Sequence, residues 1–118
     1  MTRPVLSSEK LSPEVAAYMA SYHQQTVNEV ASTVATNKIV VVGMGMNPFV
    51  KKARAALSEA GVDFKYLEYG NYFSLWKPRL AIKLWSGWPT FPQVFVDGKL
   101  IGGYKELVTA LKAGTITR

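Results

Sequence analysis

The chain has 118 residues, which is enough for one compact domain and too few for two. Its formal net charge of +6 favours anionic partners in general, but no nucleic-acid reading motif accompanies the charge, so nucleic acid is not the expected partner. The absence of cysteine excludes disulfides, thiolate nucleophiles and thiolate metal sites. No apolar stretch is long enough to cross a bilayer, and we expect no membrane insertion and a cytoplasmic location.

We expect residues 1–25 to form a partly helical extension that precedes the main domain, residues 26–118. Ser12-Pro13-Glu14 combines a side-chain N-cap, a proline at the first helical position and an acid near the positive end of the helix dipole. Apolar residues then recur every three or four positions to about Thr36, which indicates one long helix or two successive ones. The sequence leaves open whether the extension packs on the sheet or supports a homodimer.

The next two elements are a buried strand and an amphipathic helix. The run 38–43 is β-branched and does not alternate with polar residues, which is typical of a strand buried on both faces. Asn47-Pro48 again pairs an N-cap with a first-turn proline and predicts a helix that ends at Gly61. The stretch 62–69 then predicts a second strand.

The last third of the chain predicts a helix, a hairpin and a final helix. Ser74 is the expected cap of the first of these helices, which ends at Ser86-Gly87. Two short strands flank Asp97-Gly98, a pair that favours a two-residue hairpin turn. A final helix follows from Tyr104. This order of elements predicts an α/β fold with a mixed sheet and helices on both faces.

The stretch 88–103, Trp-Pro-Thr-Phe-Pro-Gln-Val-Phe-Val-Asp-Gly-Lys-Leu-Ile-Gly-Gly, resembles the glutaredoxin family and is most similar to its monothiol branch. The similarity extends over about 26–115. The resemblance implies a thioredoxin fold with a mixed four-stranded sheet, and it implies that Pro92 is the cis-proline that follows Thr90.

In that family the buried strand is followed by a redox motif, Cys-Pro-Tyr-Cys in dithiol members and Cys-Gly-Phe-Ser in monothiol members. The corresponding positions here are Asn47, Pro48, Phe49 and Val50, so both sulfur positions are lost. An asparagine amide cannot ionise or attack a disulfide, but as an N-cap it stabilises a helix by ~1 kcal/mol relative to alanine. We therefore expect a vestigial motif with no catalytic residue and no iron–sulfur cluster. With a single histidine, His23, no metal site is expected either.

The resemblance also implies a set of ligand-binding positions, some of which have changed. Met44 stands where a lysine of the family meets the glycyl carboxylate of glutathione, and Lys105 stands where an aspartate meets its glutamyl amine. The second change reverses a charge, so any glutathione binding should be weak. The candidate ligand-binding residues are Arg79 and Lys83, which resemble the basic carboxylate contacts, together with Thr90, Phe91, Pro92, Gly102, Gly103 and Tyr104.

Two further features have alternative interpretations. The aromatic and basic loop 69–79 is either an exposed contact surface or a thickening of the core. Lys51 and Lys52, near a helix N-terminus, either help to hold an anion or are ordinary solvated lysines.

The leading functional hypothesis is a redox-inactive binding or adaptor module. Its groove would lie between Asn47, the turn 90–92 and Gly103, and would hold an unidentified protein or peptide. The first alternative is weak binding of glutathione or another anionic small molecule. The second is a glutathione-linked oxidoreductase of the family type, which the absence of cysteine argues against.

Overall fold

The computed structural model describes residues 6–116. A short 3-10 turn, Ser8–Lys10, precedes five helices and four strands in the described part of the chain. In chain order they are α1 (Pro13–Ser21), α2 (Gln24–Thr36), β1 (Ile39–Gly43), α3 (Pro48–Glu59), β2 (Lys65–Glu68), α4 (Trp76–Ser86), β3 (Gln93–Val96), β4 (Lys99–Gly102) and α5 (Tyr104–Ala113).

The sheet has four strands in the order β2-β1-β3-β4. Strand β1 is parallel to β2 and antiparallel to β3, and β4 is antiparallel to β3. All five residues of β1 are buried, which confirms that the β-branched run forms the central strand. The mixed four-stranded sheet predicted from the sequence is therefore present.

Helices cover both faces of this sheet because successive side chains of β1 point in opposite directions. Helices α2 and α4 pack on one face, and α3 and α5 pack on the other. The buried residues are Val40 and Val42 with Val30 of α2 and Ile82 of α4 on the first face, and Ile39 and Val41 with Leu57 of α3 and Leu107 of α5 on the second.

The N-terminal periodicity resolves into two helices rather than one. His23 has a positive φ of 45° and separates α1 from α2. Val30 and Val34 of α2 belong to the core, whereas α1 buries none of its residues. Within 6–116 no helix combines the length and the apolar character needed to cross a membrane.

The prediction that Ser74 caps the third core helix is wrong. Helix α4 begins at Trp76, and its cap position is Leu75 in the left-handed conformation with φ 56°. The Ser74 hydroxyl lies 3.4 Å from the side-chain oxygen of Asn71 in a tight turn, so it is not available to the helix. The second strand is also shorter than predicted, because Val62 donates its amide to the Leu57 carbonyl at 3.0 Å and closes the end of α3.

Removal of residues 1–21 is expected to leave the domain folded, with its thermal midpoint changed by no more than about 5 °C. The reason is that α1 contributes no buried side chain. Val30→Ala, which leaves a cavity in the core, is the contrasting variant and should lower the midpoint further. Calorimetry measures both. Loss of cooperative unfolding in the truncated chain would contradict this expectation. The domain boundary after residue 25 stays a prediction.

Candidate functional site

A groove of about 500 Å³ opens where β1 leads into α3. Its walls come from the β1–α3 turn, the C-terminal half of α4, the loop before β3 and the first turn of α5. Ten of the residues singled out in the sequence line it: Met44, Asn47, Phe49, Lys83, Thr90, Phe91, Pro92, Gly103, Tyr104 and Lys105. The structure therefore brings together most of the positions that the sequence singled out.

Asn47 lies at the floor of this groove and uses both ends of its side chain. Its Oδ1 accepts hydrogen bonds from the backbone amides of Phe49 at 2.9 Å and Val50 at 3.2 Å, which confirms the predicted N-cap. Its Nδ2 donates to the Phe91 carbonyl at 3.4 Å. Asn47 therefore joins the start of α3 to the loop before β3, and only 9% of the residue is exposed.

The same hydrogen bonds bear on anion binding at the start of α3. Two of the amides that would hold an anion are already satisfied by Asn47. The ammonium of Lys52 lies 5.4 Å from the centroid of the Phe49 ring, and Lys51 is exposed. These contacts favour the interpretation of both residues as ordinary surface lysines.

The loop before β3 forms the opposite wall. The Phe91–Pro92 peptide bond is cis. Phe91 and Pro92 are buried, and the ammonium of Lys83 lies 5.5 Å from the centroid of the Phe91 ring. Thr90 is exposed and precedes β3, so its backbone lies outside the β3 ladder and at the edge of the groove.

The groove is closed at Gly103, the residue just before α5. A Cβ atom on Gly103 would come within 3.3 Å of the Pro92 carbonyl oxygen, so the close approach of these two segments favours glycine. The Gly103 amide donates to Oε1 of Glu106 at 2.8 Å. Gly102 lies behind this contact and does not line the groove.

Gly102→Ala is expected to destabilise the fold by about 2 to 4 kcal/mol. Gly102 has a φ of 125°, and a Cβ atom there would come within 2.6 Å of Cγ of Glu106. The matched control is Gly98→Ala, because Gly98 also has a positive φ, of 80°, but meets no atom within 4 Å. In urea unfolding, Gly98→Ala should lower the free energy of unfolding by at least about 1 kcal/mol less than Gly102→Ala does. Equal losses of unfolding free energy in the two variants would mean that the Glu106 side chain moves away from the new Cβ atom at no cost.

The structure does not place Arg79 in the groove. Arg79 is 8% exposed, and its guanidinium Nη1 donates to the carbonyls of Tyr69 at 3.1 Å and Ser74 at 2.5 Å. The phenol of Tyr69 in turn hydrogen-bonds Glu29 of α2. Burial, and then the bond to Glu29, raises the pKa of Tyr69 above its ordinary value, which favours the protonated phenol as the hydrogen-bond donor to Glu29. Arg79 thus fastens the loop before α4 to the body of the domain.

The loop 69–79 presents three of its four aromatic side chains to solvent, whereas the fourth, Tyr69, packs against the core. Tyr72 is 59% exposed, Phe73 is 85% exposed and Trp76 is 60% exposed, so these rings do not thicken the core. Tyr72 also lines the groove. Of the two interpretations of the loop, the structure supports an exposed surface at the rim of the groove.

Four more residues line the groove: Tyr72, Trp88, Pro89 and Glu106. The sequence indicated Tyr72 only as a member of the loop 69–79, and it assigned no role to Pro89 or Glu106. Glu106 had a usable signal, since a glutamate three residues after a helix cap is the spacing of a capping box. For Trp88, the only sequence signal was its position in the stretch 88–103 that resembles the family. Its indole nitrogen is buried without a hydrogen-bond partner in the described part of the chain.

An iron–sulfur cluster of the family type does not fit this site. The position that would supply the thiolate is Asn47, whose side-chain oxygen and nitrogen are both engaged by the protein. Among residues 6–116 no group of histidine, aspartate and glutamate side chains is placed to hold a metal ion. The described lining of the groove therefore offers apolar surface, two lysines and the carboxylate of Glu106, and no metal ligand set.

Comparisons with known proteins place the chain in a family. The glutaredoxin family model matches residues 39–101, which is more than half of the sequence. The chain belongs to the glutaredoxin family. A glutaredoxin-like protein of Dictyostelium discoideum is 49% identical over 107 residues, covering 91% of this chain and 87% of that protein. A probable monothiol glutaredoxin 2 of Rickettsia felis is 34% identical over 79 residues, covering 63% and 73%.

The solved structures agree with this assignment. Oxidized glutaredoxin 2 from Chlamydomonas reinhardtii superposes with a TM-score of 0.66 at 28% identity, covering 78% of this chain and 87% of that one. The thioredoxin fold implied by the sequence is therefore confirmed, with α1 as an additional N-terminal helix. The sequence of this glutaredoxin contains no cysteine, so it lacks the cysteines of the family's redox motif.

Proposed function

We propose that this glutaredoxin is a redox-inactive binding module that holds an extended peptide segment in the groove beside Pro92. The observation that carries the proposal is the environment of Asn47. A carboxamide occupies the position of the thiol, and it is hydrogen-bonded to α3 on one side and to the Phe91 carbonyl on the other. The site keeps its shape by these bonds and contains no nucleophile for disulfide exchange.

The lining of the groove supports a peptide rather than a flat partner surface. Phe49, Tyr72, Trp88 and Tyr104 give it aromatic walls, which suit side chains of an extended segment. Exposed Thr90 lies outside the β3 ladder, so its backbone can pair with a peptide main chain.

Two assays test this proposal together. The purified protein should show no activity above background in a glutathione-coupled disulfide reduction assay. It should bind a subset of fluorescein-labelled ten-residue peptides saturably. Thr90→Trp, which adds a large side chain at an exposed position of the groove lining, should remove that binding. A peptide set that contains no binder, or reduction activity above background, would refute the proposal.

A second candidate function is the binding of a small anion such as glutathione. The observation in its favour is that Lys83 and Lys105 both line the groove. Against it, Arg79 is buried and occupied, and Met44 is an apolar side chain with 6% exposure. Calorimetric titration separates the two functions, because saturable glutathione binding in the micromolar range would favour the small anion.

A further inference from the structure

The two lysines of the groove come from different helices. Lys83 is in the last turn of α4, and Lys105 is in the first turn of α5. Both line the groove, so positive charge is supplied from two of its walls. Lys83 is half-buried and Lys105 is exposed, which leaves both ammonium groups within reach of a ligand.

Negative charge in the groove is limited to a single residue. Glu106 is the only acidic residue among those described that line it. Its carboxylate accepts the Gly103 amide at 2.8 Å, at the N-terminus of α5, where the helix dipole and the unpaired amides are positive. The charge of Glu106 is thus offset within the protein, and the two lysines are the charges that a ligand meets.

The space between the lysines is apolar. Phe91 lies beneath the ammonium of Lys83, and the rings of Phe49 and Tyr104 lie 6.3 Å apart by their centroids on the side of α5. A ligand that satisfies the groove therefore needs acidic groups separated by an apolar or aromatic part. An extended peptide supplies this pattern when glutamate or aspartate flanks an aromatic residue.

We propose that the groove is selective for acidic peptide segments, whose carboxylates pair with Lys83 and Lys105 while an aromatic side chain fills the space between them. This inference rests on the proposed function, because it names the class of peptide that the groove holds. The formal net charge of +6 assists the encounter with such a segment. The two local lysines supply the selectivity, and partly exposed ion pairs of this kind should together favour the acidic peptide by about tenfold at low salt.

The test measures fluorescence anisotropy with three labelled ten-residue peptides that share two central aromatic residues. Their flanking residues are all glutamate, all glutamine or all lysine. The expected order of affinity is glutamate, then glutamine, then lysine, with the difference shrinking in high salt. An oligothymidylate of ten nucleotides is included because a basic surface also attracts nucleic acid.

Matched double variants separate groove charge from total charge. K83E combined with K105E changes the charge of the groove. K65E combined with K112E makes the same change in net charge at two exposed lysines that do not line the groove. The first pair should abolish the preference for the glutamate peptide, and the second should keep most of it. K83Q combined with K105Q repeats the test with a milder change if the glutamate variant unfolds.

The outcomes distinguish this inference from the proposed function. Equal affinity for glutamate and glutamine peptides, or equal loss in the two double variants, overturns acidic selectivity and leaves the peptide-binding function in place. Tighter binding of oligothymidylate than of the glutamate peptide overturns it as well. Failure of all peptides to bind overturns both proposals.

Discussion

Replacing Asn47 by cysteine is expected to produce a thiol that forms a mixed disulfide with oxidised glutathione, which the parent chain cannot form. Asn47 lies at the cap of α3, within hydrogen-bond distance of the amides of Phe49 and Val50. A thiolate at the same place would be stabilised by those amides and by the helix dipole, which lower a cysteine pKa from about 8.5 to between about 3.5 and 7.5. It would attack one sulfur of the disulfide and release the other as glutathione thiolate.

The measurement is intact mass after incubation with oxidised glutathione, together with the rate of alkylation by iodoacetamide as a function of pH. Ser58→Cys is the matched control, since Ser58 is exposed near the opposite end of α3, where the dipole does not favour a thiolate. The Asn47→Cys protein should alkylate faster than the control below about pH 8. Equal rates would mean that the start of α3 has lost the electrostatic setting of its family.

The result bears on what was lost from this glutaredoxin. If Asn47→Cys reacts, then the fold retains the positions that activate a thiol, and the absence of sulfur alone accounts for the proposed redox inactivity. The charge reversal that the family resemblance implies at Lys105 would then be a separate change, which acts on ligand binding and not on the nucleophile. Measurement of glutathione binding to Lys105→Asp in the parent chain would show the size of that second effect.

Most of the fold could be predicted because local signals and the global packing agree. The β-branched run of β1 is buried on both faces, and the Asp97-Gly98 turn joins β3 to β4. Asn47 could be assigned as a cap because its side-chain oxygen acts on amides two and three residues away. Its bond to the Phe91 carbonyl spans 44 residues and has no local signal in the sequence.

The segment before α4 shows where local reasoning fails. Ser74 and Asn71 are both residues that cap helices or form turns, and the sequence does not say which backbone groups each will satisfy. The left-handed conformation of Leu75 has no propensity signal, because an apolar residue rarely adopts it. Arg79 and Lys83 are one helical turn apart on α4, but only the tertiary structure shows that the first is buried and the second lines the groove.

Arg79→Ala is expected to destabilise the protein by about 3 kcal/mol, measured by urea unfolding. The substitution removes a charged donor from the carbonyls of Tyr69 and Ser74, which close the two ends of the loop before α4. Arg79→Lys should recover only part of the loss, because one ammonium cannot reproduce the guanidinium geometry. Lys77→Ala, an exposed neighbour on the same helix, should cost no more than about 0.5 kcal/mol.

The same variant decides between a structural and a ligand-binding role for this arginine. Release of the loop should also loosen Tyr72, so peptide affinity falls together with stability in Arg79→Ala. A ligand contact would behave differently, since its removal would weaken glutathione or peptide binding while unfolding stayed at the parent value. That second pattern would return Arg79 to the groove and would require the loop carbonyls to find water as a replacement donor.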